Sequence, residues 1–193
     1  MDLFNQVSAH FSPDRKYRYS LTRKWDASKP LILWIGLNPS KASEFTTDTT
    51  IRCVRAISNH NGYGGFYMTN CFPYISTDPE KLRDFNNTQY NDEVLRELAA
   101  QCKDVVFAWG AFKIVKELGR DQELMKMFPR ALCLDINSDG SPKHPRFAKY
   151  TSKLIPFCLK DEKGRYDNAA GSGDETSAEG LTIHSNEVLK KKR

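Results

Sequence analysis

Closely spaced cysteines and clustered histidines are both missing from this sequence of 193 residues. The five cysteines are scattered and include no C-x-x-C pair, which excludes a disulfide framework or a zinc knot and is typical of reduced cytosolic thiols. Three of the four histidines, His10, His60 and His144, lie far apart along the main body of the chain, so a histidine-rich metal site is excluded. We therefore expect no metal and no other cofactor.

Long apolar stretches are missing as well. No run approaches the roughly 18 residues that a membrane-spanning helix needs, and the start at Met1 lacks the basic and apolar parts of a secretory signal. Hydrophobic residues make up 39% of the chain, as in a globular protein with a polar surface. These features predict a cytoplasmic protein with no membrane partner.

Composition divides the chain into a body and a tail. Residues 1–160 are long enough for one domain with a full core, whereas residues 161–193 are rich in Gly, Ser, Asp and Glu and predict a polar, flexible C-terminal tail. The net charge is +5, and the tail holds 6 basic and 7 acidic side chains, so the body carries +6. That balance permits contact with phosphates or nucleic acid, although many metabolic enzymes share it.

Apolar runs that alternate with helical patterns predict an α/β fold for the body. The continuous run LILWIG, at Leu31–Gly36, is typical of a strand buried on both faces of a parallel sheet. The remaining predicted strands are an edge strand at 17–25 and strands at 66–70, 104–109 and 131–135. Of the four predicted helices, one begins near Ile51, one begins at a cap on Asn91, one ends near Leu118 and one covers 123–128. This order predicts a three-layer sandwich with a mostly parallel central sheet and helices on both faces.

Polar residues and glycines follow the predicted strands at the points where they end. The four groups are the turn from Gly36 to Ser40, Asn70, the pair Trp109 and Gly110, and the loop at 140–145 that contains His144. Because the carboxyl ends of parallel strands meet at one edge of a sheet, we expect these groups to converge on one crevice.

Two carboxamides are candidates for recognition in that crevice. Gly36 allows close approach of the backbone, and Pro39 stiffens the turn that holds Asn38. Asn38 and Asn70 can each donate and accept hydrogen bonds, which suits a water or the edge of a planar heterocycle. The alternative is that both side chains only satisfy carbonyls of their own loops.

Each of the remaining candidates also has a functional and a structural interpretation. A neutral His144 can donate a hydrogen bond to charge that develops on a leaving group, or it can make an ordinary structural bond. Arg52 can grip a phosphate and Asp48 can orient a water, or the two can form an ion pair four residues apart. Trp109 is either an aromatic platform for a base or part of the core.

In this order, the segments RYSLTRKW, IGLNPSKAS, DTTIRC, NGYGGFYMTNCFPY, VVFAWG and GSPKHPRF resemble a bacterial and phage family known only as a domain of unknown function, DUF1643. The resemblance spans about residues 17–150. More distantly, the same order is similar to the uracil-DNA glycosylase superfamily, in which a G-x-N-P or G-x-D-P turn positions water, a strand-end asparagine reads the base, and a late H-P loop stabilises the leaving base.

The second resemblance implies a glycosylase-like fold and cleavage of an N-glycosidic bond through a cation-like sugar. It implies that Asn38 positions the water, that Asn70 bonds the edge of the base, and that His144 stabilises the charge on the departing base. We nominate Asp48 as the acid nearest to the water. Arg146 and Phe147 replace the serine and small wedge that are usual after the H-P pair. Phe147 can act as a wedge in duplex DNA, or it can join Arg146 around the phosphate of a small nucleotide.

Two functions therefore remain open from the sequence. One is a glycosylase-like hydrolase that acts on a nucleobase in DNA, a nucleoside or a nucleotide. The other is a binding module that senses a nucleotide or a modified base without cleaving it, because a shared fold does not by itself imply a shared activity.

Overall fold

Seven strands form one mixed sheet in the computed structural model, which describes residues 6–40, 49–83 and 88–157. Asp48 and the predicted tail at 161–193 lie outside these residues. The strands are β1 (Gln6–Phe11), β2 (Arg18–Lys24), β3 (Leu31–Gly36), β4 (Gly65–Asn70), β5 (Asp104–Phe107), β6 (Leu132–Cys133) and β7 (Ile155–Pro156). The helices are α1 (Thr49–His60), α2 (Gln89–Ala99), α3 (Lys113–Glu117) and α4 (Arg120–Met127), with short 3₁₀ turns at Pro79–Arg83 and Pro145–Phe147.

The strands lie in the order β1-β2-β4-β3-β5-β6-β7. β3 pairs in parallel with both β4 and β5, and β5 pairs in parallel with β6. The pairs β1 with β2, β2 with β4 and β6 with β7 are antiparallel. The α/β class is confirmed, but the sheet as a whole is mixed rather than mostly parallel, because antiparallel strands flank its centre on both sides.

The buried strand β3 separates two hydrophobic clusters. Leu33 and Ile35 face one cluster, which includes residues of α2, α3 and α4. Ile32 and Trp34 face the other cluster, to which α1 contributes. Helices therefore cover both faces of the sheet, and each fully buried aliphatic side chain of β3 stabilises the fold by about 1.5–3 kcal/mol.

The prediction of an edge strand at 17–25 is wrong. β2 lies between β1 and β4, and most of its residues are buried, including the polar Ser20 and Thr22. The exposed edge belongs instead to β1, whose short sequence QVSAHF gives no clear alternation. The alternation of polar and apolar side chains in β2 predicted a half-exposed strand. The prediction failed because hydroxyl side chains can be buried when they are hydrogen-bonded.

The described part of the chain contains no helix that is long and apolar enough to cross a membrane.

Candidate functional site

The ends of β3 and β4 lie side by side and continue as paired segments beyond the sheet. Gly36 stands opposite Asn70 in the parallel register. Past this pair, the amide of Cys71 donates to the carbonyl of Gly36 at 2.8 Å, and the amide of Phe72 donates to the carbonyl of Leu37 at 3.0 Å. The two predicted strand-end groups therefore meet, as expected from the register of parallel strands.

Gly36 makes room for the side chain of Asn70. A Cβ atom at position 36 would lie 3.1 Å from Oδ1 of Asn70 and 2.6 Å from Cε of Met68. Any larger residue would thus have to displace both side chains. Glycine at this position therefore leaves both neighbouring side chains undisturbed.

Asn70 holds a buried hydrogen-bond donor. The residue is only 2% exposed, and its Nδ2 has no hydrogen-bond partner among the residues that the structure describes. Leaving such a polar group unpaired costs roughly 1–3 kcal/mol, so an unpaired donor in a folded protein calls for an explanation. An acceptor atom supplied by a ligand would remove this cost.

Two side chains donate hydrogen bonds to the backbone at the end of β4, a role that was not predicted from the sequence. Nδ2 of Asn91 donates to the carbonyl of Asn70 at 3.0 Å, and Nε of Arg120 donates to the carbonyl of Cys71 at 3.0 Å. Both side chains are almost fully buried. They hold two consecutive carbonyls of the strand end and thereby fix the place of the Asn70 side chain.

Arg120 is held in turn by carboxylates. It pairs with Asp92 in a two-point contact and with Glu123 at 2.8 Å. Burial disfavours its charge, but the hydrogen bonds to Asp92 and Glu123 outweigh burial and raise the pKa of Arg120 above its ordinary value. A helical arginine with acidic neighbours usually indicates a surface ion pair, so this role could not be predicted from the sequence.

The prediction that Asn91 caps α2 is wrong. The helix begins at Gln89, with Thr88 in the capping position, and Asn91 lies inside the first turn with no exposed surface. Its carboxamide points to the strand end instead of the helix backbone, because the carbonyl of Asn70 offers a buried acceptor that needs a donor.

Asn38 bonds to the neighbouring loop. Its Nδ2 donates to the carbonyl of Ser76 at 2.8 Å, with longer contacts of 3.2 Å and 3.4 Å to the carbonyls of Pro39 and Tyr74. The structural interpretation from the sequence is therefore observed for this half of the carboxamide. Because the amide nitrogen is directed to these carbonyls, Oδ1 is directed away from them.

His144 stands at the start of the 3₁₀ turn Pro145–Phe147 and is half-buried. Its Nδ1 accepts a hydrogen bond from the amide of Arg146 at 3.1 Å. A ring nitrogen that accepts a bond carries no proton, so this contact selects the neutral tautomer with its proton on Nε2. In this tautomer Nε2 carries the proton of the ring.

The loop of His144 docks on the end of β5. The amide of Gly110 donates to the carbonyl of Pro142 at 3.0 Å. Gly110 has a φ of +81°, and a Cβ atom there would lie 3.1 Å from Cβ of His144. Since β3 and β5 are parallel neighbours, this second pair of groups lies at the same edge of the sheet as Gly36 and Asn70.

Hydrogen bonds within the loop fix its shape ahead of His144. The carboxylate of Asp139 accepts bonds from the amide and the hydroxyl of Ser141, at 3.0 Å and 2.6 Å. The bond from the Ser141 hydroxyl is the main reason that the pKa of Asp139 lies below its usual range. Asp135 forms an ion pair with Lys143 at 3.0 Å, which also lowers the pKa of Asp135.

The other predicted site residues have different surroundings. Trp109 is 2% exposed and packs against Phe107 and Phe157, so its ring belongs to the core and offers no free face to a base. Ser40 is half-buried at the end of the first described segment. The guanidinium of Arg146 lies 5.2 Å from the ring of Phe147, and both residues are exposed.

Arg52 is exposed in the first turn of α1, where it donates to the hydroxyl of Thr49 at 3.3 Å. The predicted ion pair between Asp48 and Arg52 falls on a residue outside the described ones. Within the described ranges, no group of three or more His, Cys, Asp or Glu side chains could hold a metal ion.

A family model with the description "Protein of unknown function (DUF1643)" matches residues 18–146. No curated protein and no solved structure matches the chain. The matched residues include all of the strand-end groups described above.

Proposed function

Since the chain belongs to the DUF1643 family, whose description names no activity, we propose a function from the site itself. The protein recognises a nucleobase and cleaves an N-glycosidic bond in DNA, a nucleoside or a nucleotide, as a glycosylase-like hydrolase of the cytoplasm.

The observation that carries this proposal is the buried and unpaired Nδ2 of Asn70. A rigid donor in a low-dielectric environment favours a ligand that presents an acceptor there and rejects one that does not. A keto oxygen on the edge of a nucleobase is such an acceptor. The hydrogen bonds from Asn91 and Arg120 support this role because they hold the backbone that carries the donor.

The chemistry follows from the other strand-end groups. The bond between the sugar carbon and the base nitrogen breaks, and its electron pair leaves with the base. The oxygen of a water held by Oδ1 of Asn38 bonds to the sugar carbon, and Asp48 accepts the proton of that water. The Nε2 proton of His144 stabilises the negative charge of the departing base.

The arrangement of the central strands supports a more specific fold within this proposal. β4, β3, β5 and β6 are successive parallel strands with helices on both faces. We propose that this centre has the three-layer arrangement of the uracil-DNA glycosylase superfamily.

A binding module without turnover is the second candidate. It is favoured by the engagement of Asn38, whose Nδ2 is directed to loop carbonyls. In that function Asn70 and His144 recognise a nucleotide or a modified base, and no water is activated.

Release of free base separates the two candidates. The full chain is incubated with oligonucleotides that contain uracil or other modified bases, and separately with a panel of nucleosides and nucleotides, and liberated base is measured by mass spectrometry. We expect base release, with a loss of about 10²-fold or more in His144→Asn and none in His60→Asn, a control at the exposed end of α1. Tight binding with no release from any substrate would overturn the enzyme and favour the module.

A further inference from the structure

A groove runs along the solvent-facing side of α1. Its volume is about 430 Å³, and it is lined by Trp25, Arg52, Arg55, Ala56 and Asn59. The helical residues among these are spaced by three or four positions, so they share one face. The distance from Arg52 to Asn59 along the helix axis is about 10 Å, which is longer than a single phosphate group.

Positive charge concentrates in this groove. Arg52 and Arg55 are both exposed, and neither forms an ion pair with another residue in the described ranges. Arg23, which is 7% exposed, lies close to Arg55. Burial, together with the charge of Arg55, lowers the pKa of Arg23. An anion in the groove would offset this repulsion.

The guanidinium of Arg55 is also positioned before any ligand binds. The guanidinium of Arg55 lies 5.4 Å from the ring centre of Trp25, and the ring of Trp25 meets that of Phe66 edge-on at 6.1 Å. A guanidinium held against a ring in this way loses less freedom when it binds a phosphate. Arg55 is therefore positioned in the groove by the ring of Trp25.

We propose that this groove binds the sugar–phosphate backbone of single-stranded nucleic acid. Arginines that bind phosphates, near an exposed aromatic ring that can stack on an unpaired base, are the combination by which proteins hold single strands. α1 also contacts the turn Pro145–Phe147, where Phe147 is 68% exposed. The bound nucleic acid is therefore held on the helix that adjoins the loop of His144. This proposal rests on the proposed function and specifies that its substrate is a polymer.

Fluorescence anisotropy with labelled oligothymidylate tests the proposal on the full chain. The variant Arg52→Gln with Arg55→Gln is compared with Arg96→Gln with Arg130→Gln, which removes the same charge from exposed positions outside the groove. We expect the groove variant to bind at least about tenfold more weakly at low salt and to reduce the salt slope by about two. The control should change binding little, and circular dichroism establishes that each variant is folded.

Equal weakening in both variants, or none in either, would overturn the proposal because net charge or another surface would then explain binding. Tighter binding of duplex DNA than of the single strand, or full competition by thymidine monophosphate, would overturn it as well. Binding is measured without turnover. If the groove binds the oligonucleotide but the protein releases no base, only the proposed glycosylase activity is contradicted.

Discussion

The side chain of Asn91 in α2 donates a hydrogen bond of 3.0 Å to the backbone carbonyl of Asn70 at the end of β4. Both residues are buried, so water cannot readily replace this bond. The strand end that presents the candidate recognition group is thus fixed by a helix that begins 19 residues further along the sequence, at Gln89.

Replacing Asn91 tests this brace. Asn91→Ala leaves the carbonyl of Asn70 unpaired and should lower the free energy of unfolding by about 1–3 kcal/mol, as measured by urea denaturation. Asn91→Asp should cost more at neutral pH, because it sets a carboxylate against that carbonyl. Gln89→Ala, an exposed change in the same turn, should stay within about 0.5 kcal/mol. Equal stability of all three variants would refute the brace.

Gly36→Ala tests the space reserved for Asn70. The new methyl group would collide with Met68 and press on Oδ1 of Asn70, so we expect a loss of about 1–3 kcal/mol in unfolding free energy. Met68→Ala removes the obstacle but opens a cavity. In the double variant the two costs should partly cancel, by at least about 0.5 kcal/mol relative to their sum. Simple additivity in calorimetry would contradict this account.

Arg120→Met should be among the most destabilising changes in the chain. It leaves Asp92 half-buried without its partner and removes the donor to the carbonyl of Cys71, which together should cost about 3–5 kcal/mol. Arg83→Gln breaks exposed pairs with Glu80 and Glu117 and should cost less than about 1 kcal/mol. Chemical denaturation compares the two variants, and similar losses would show that Arg120 is not a structural brace.

Alkaline pH should weaken the fold through the buried thiol of Cys71 and the half-buried thiol of Cys102. Burial raises the pKa of Cys102 to about 12 and raises that of Cys71 as well, whereas an unfolded thiol ionises near pH 8.5. Their contribution to stability is therefore complete below about pH 8.5 and is lost as pH rises towards the folded pKa. Alkylation at pH 8 followed by peptide mapping should label both cysteines slowly in the native protein and quickly after unfolding. Rapid native labelling would contradict the raised pKa values of these two thiols.

The sequence predicted the parts of this structure that depend on local patterns. The apolar run of β3, the amphipathic pattern of α1 and the polar strand ends at Gly36 and Asn70 are each visible in a short window of residues. Contacts between distant segments could not be predicted, because nothing near Asn91 or Arg120 indicates that their side chains donate to the carbonyls of residues 70 and 71. Trp109 shows the same limit, since the strand pattern did not settle whether its ring faces the core or the crevice.

A crystal structure of the protein with a nucleobase or nucleotide tests the central claim most directly. We predict a base in the crevice with a keto oxygen at roughly 2.7–3.2 Å from Nδ2 of Asn70, and with Nε2 of His144 directed at the ring nitrogen that joins the sugar. A base bound elsewhere, with Nδ2 of Asn70 paired to an atom of the protein, would contradict the account.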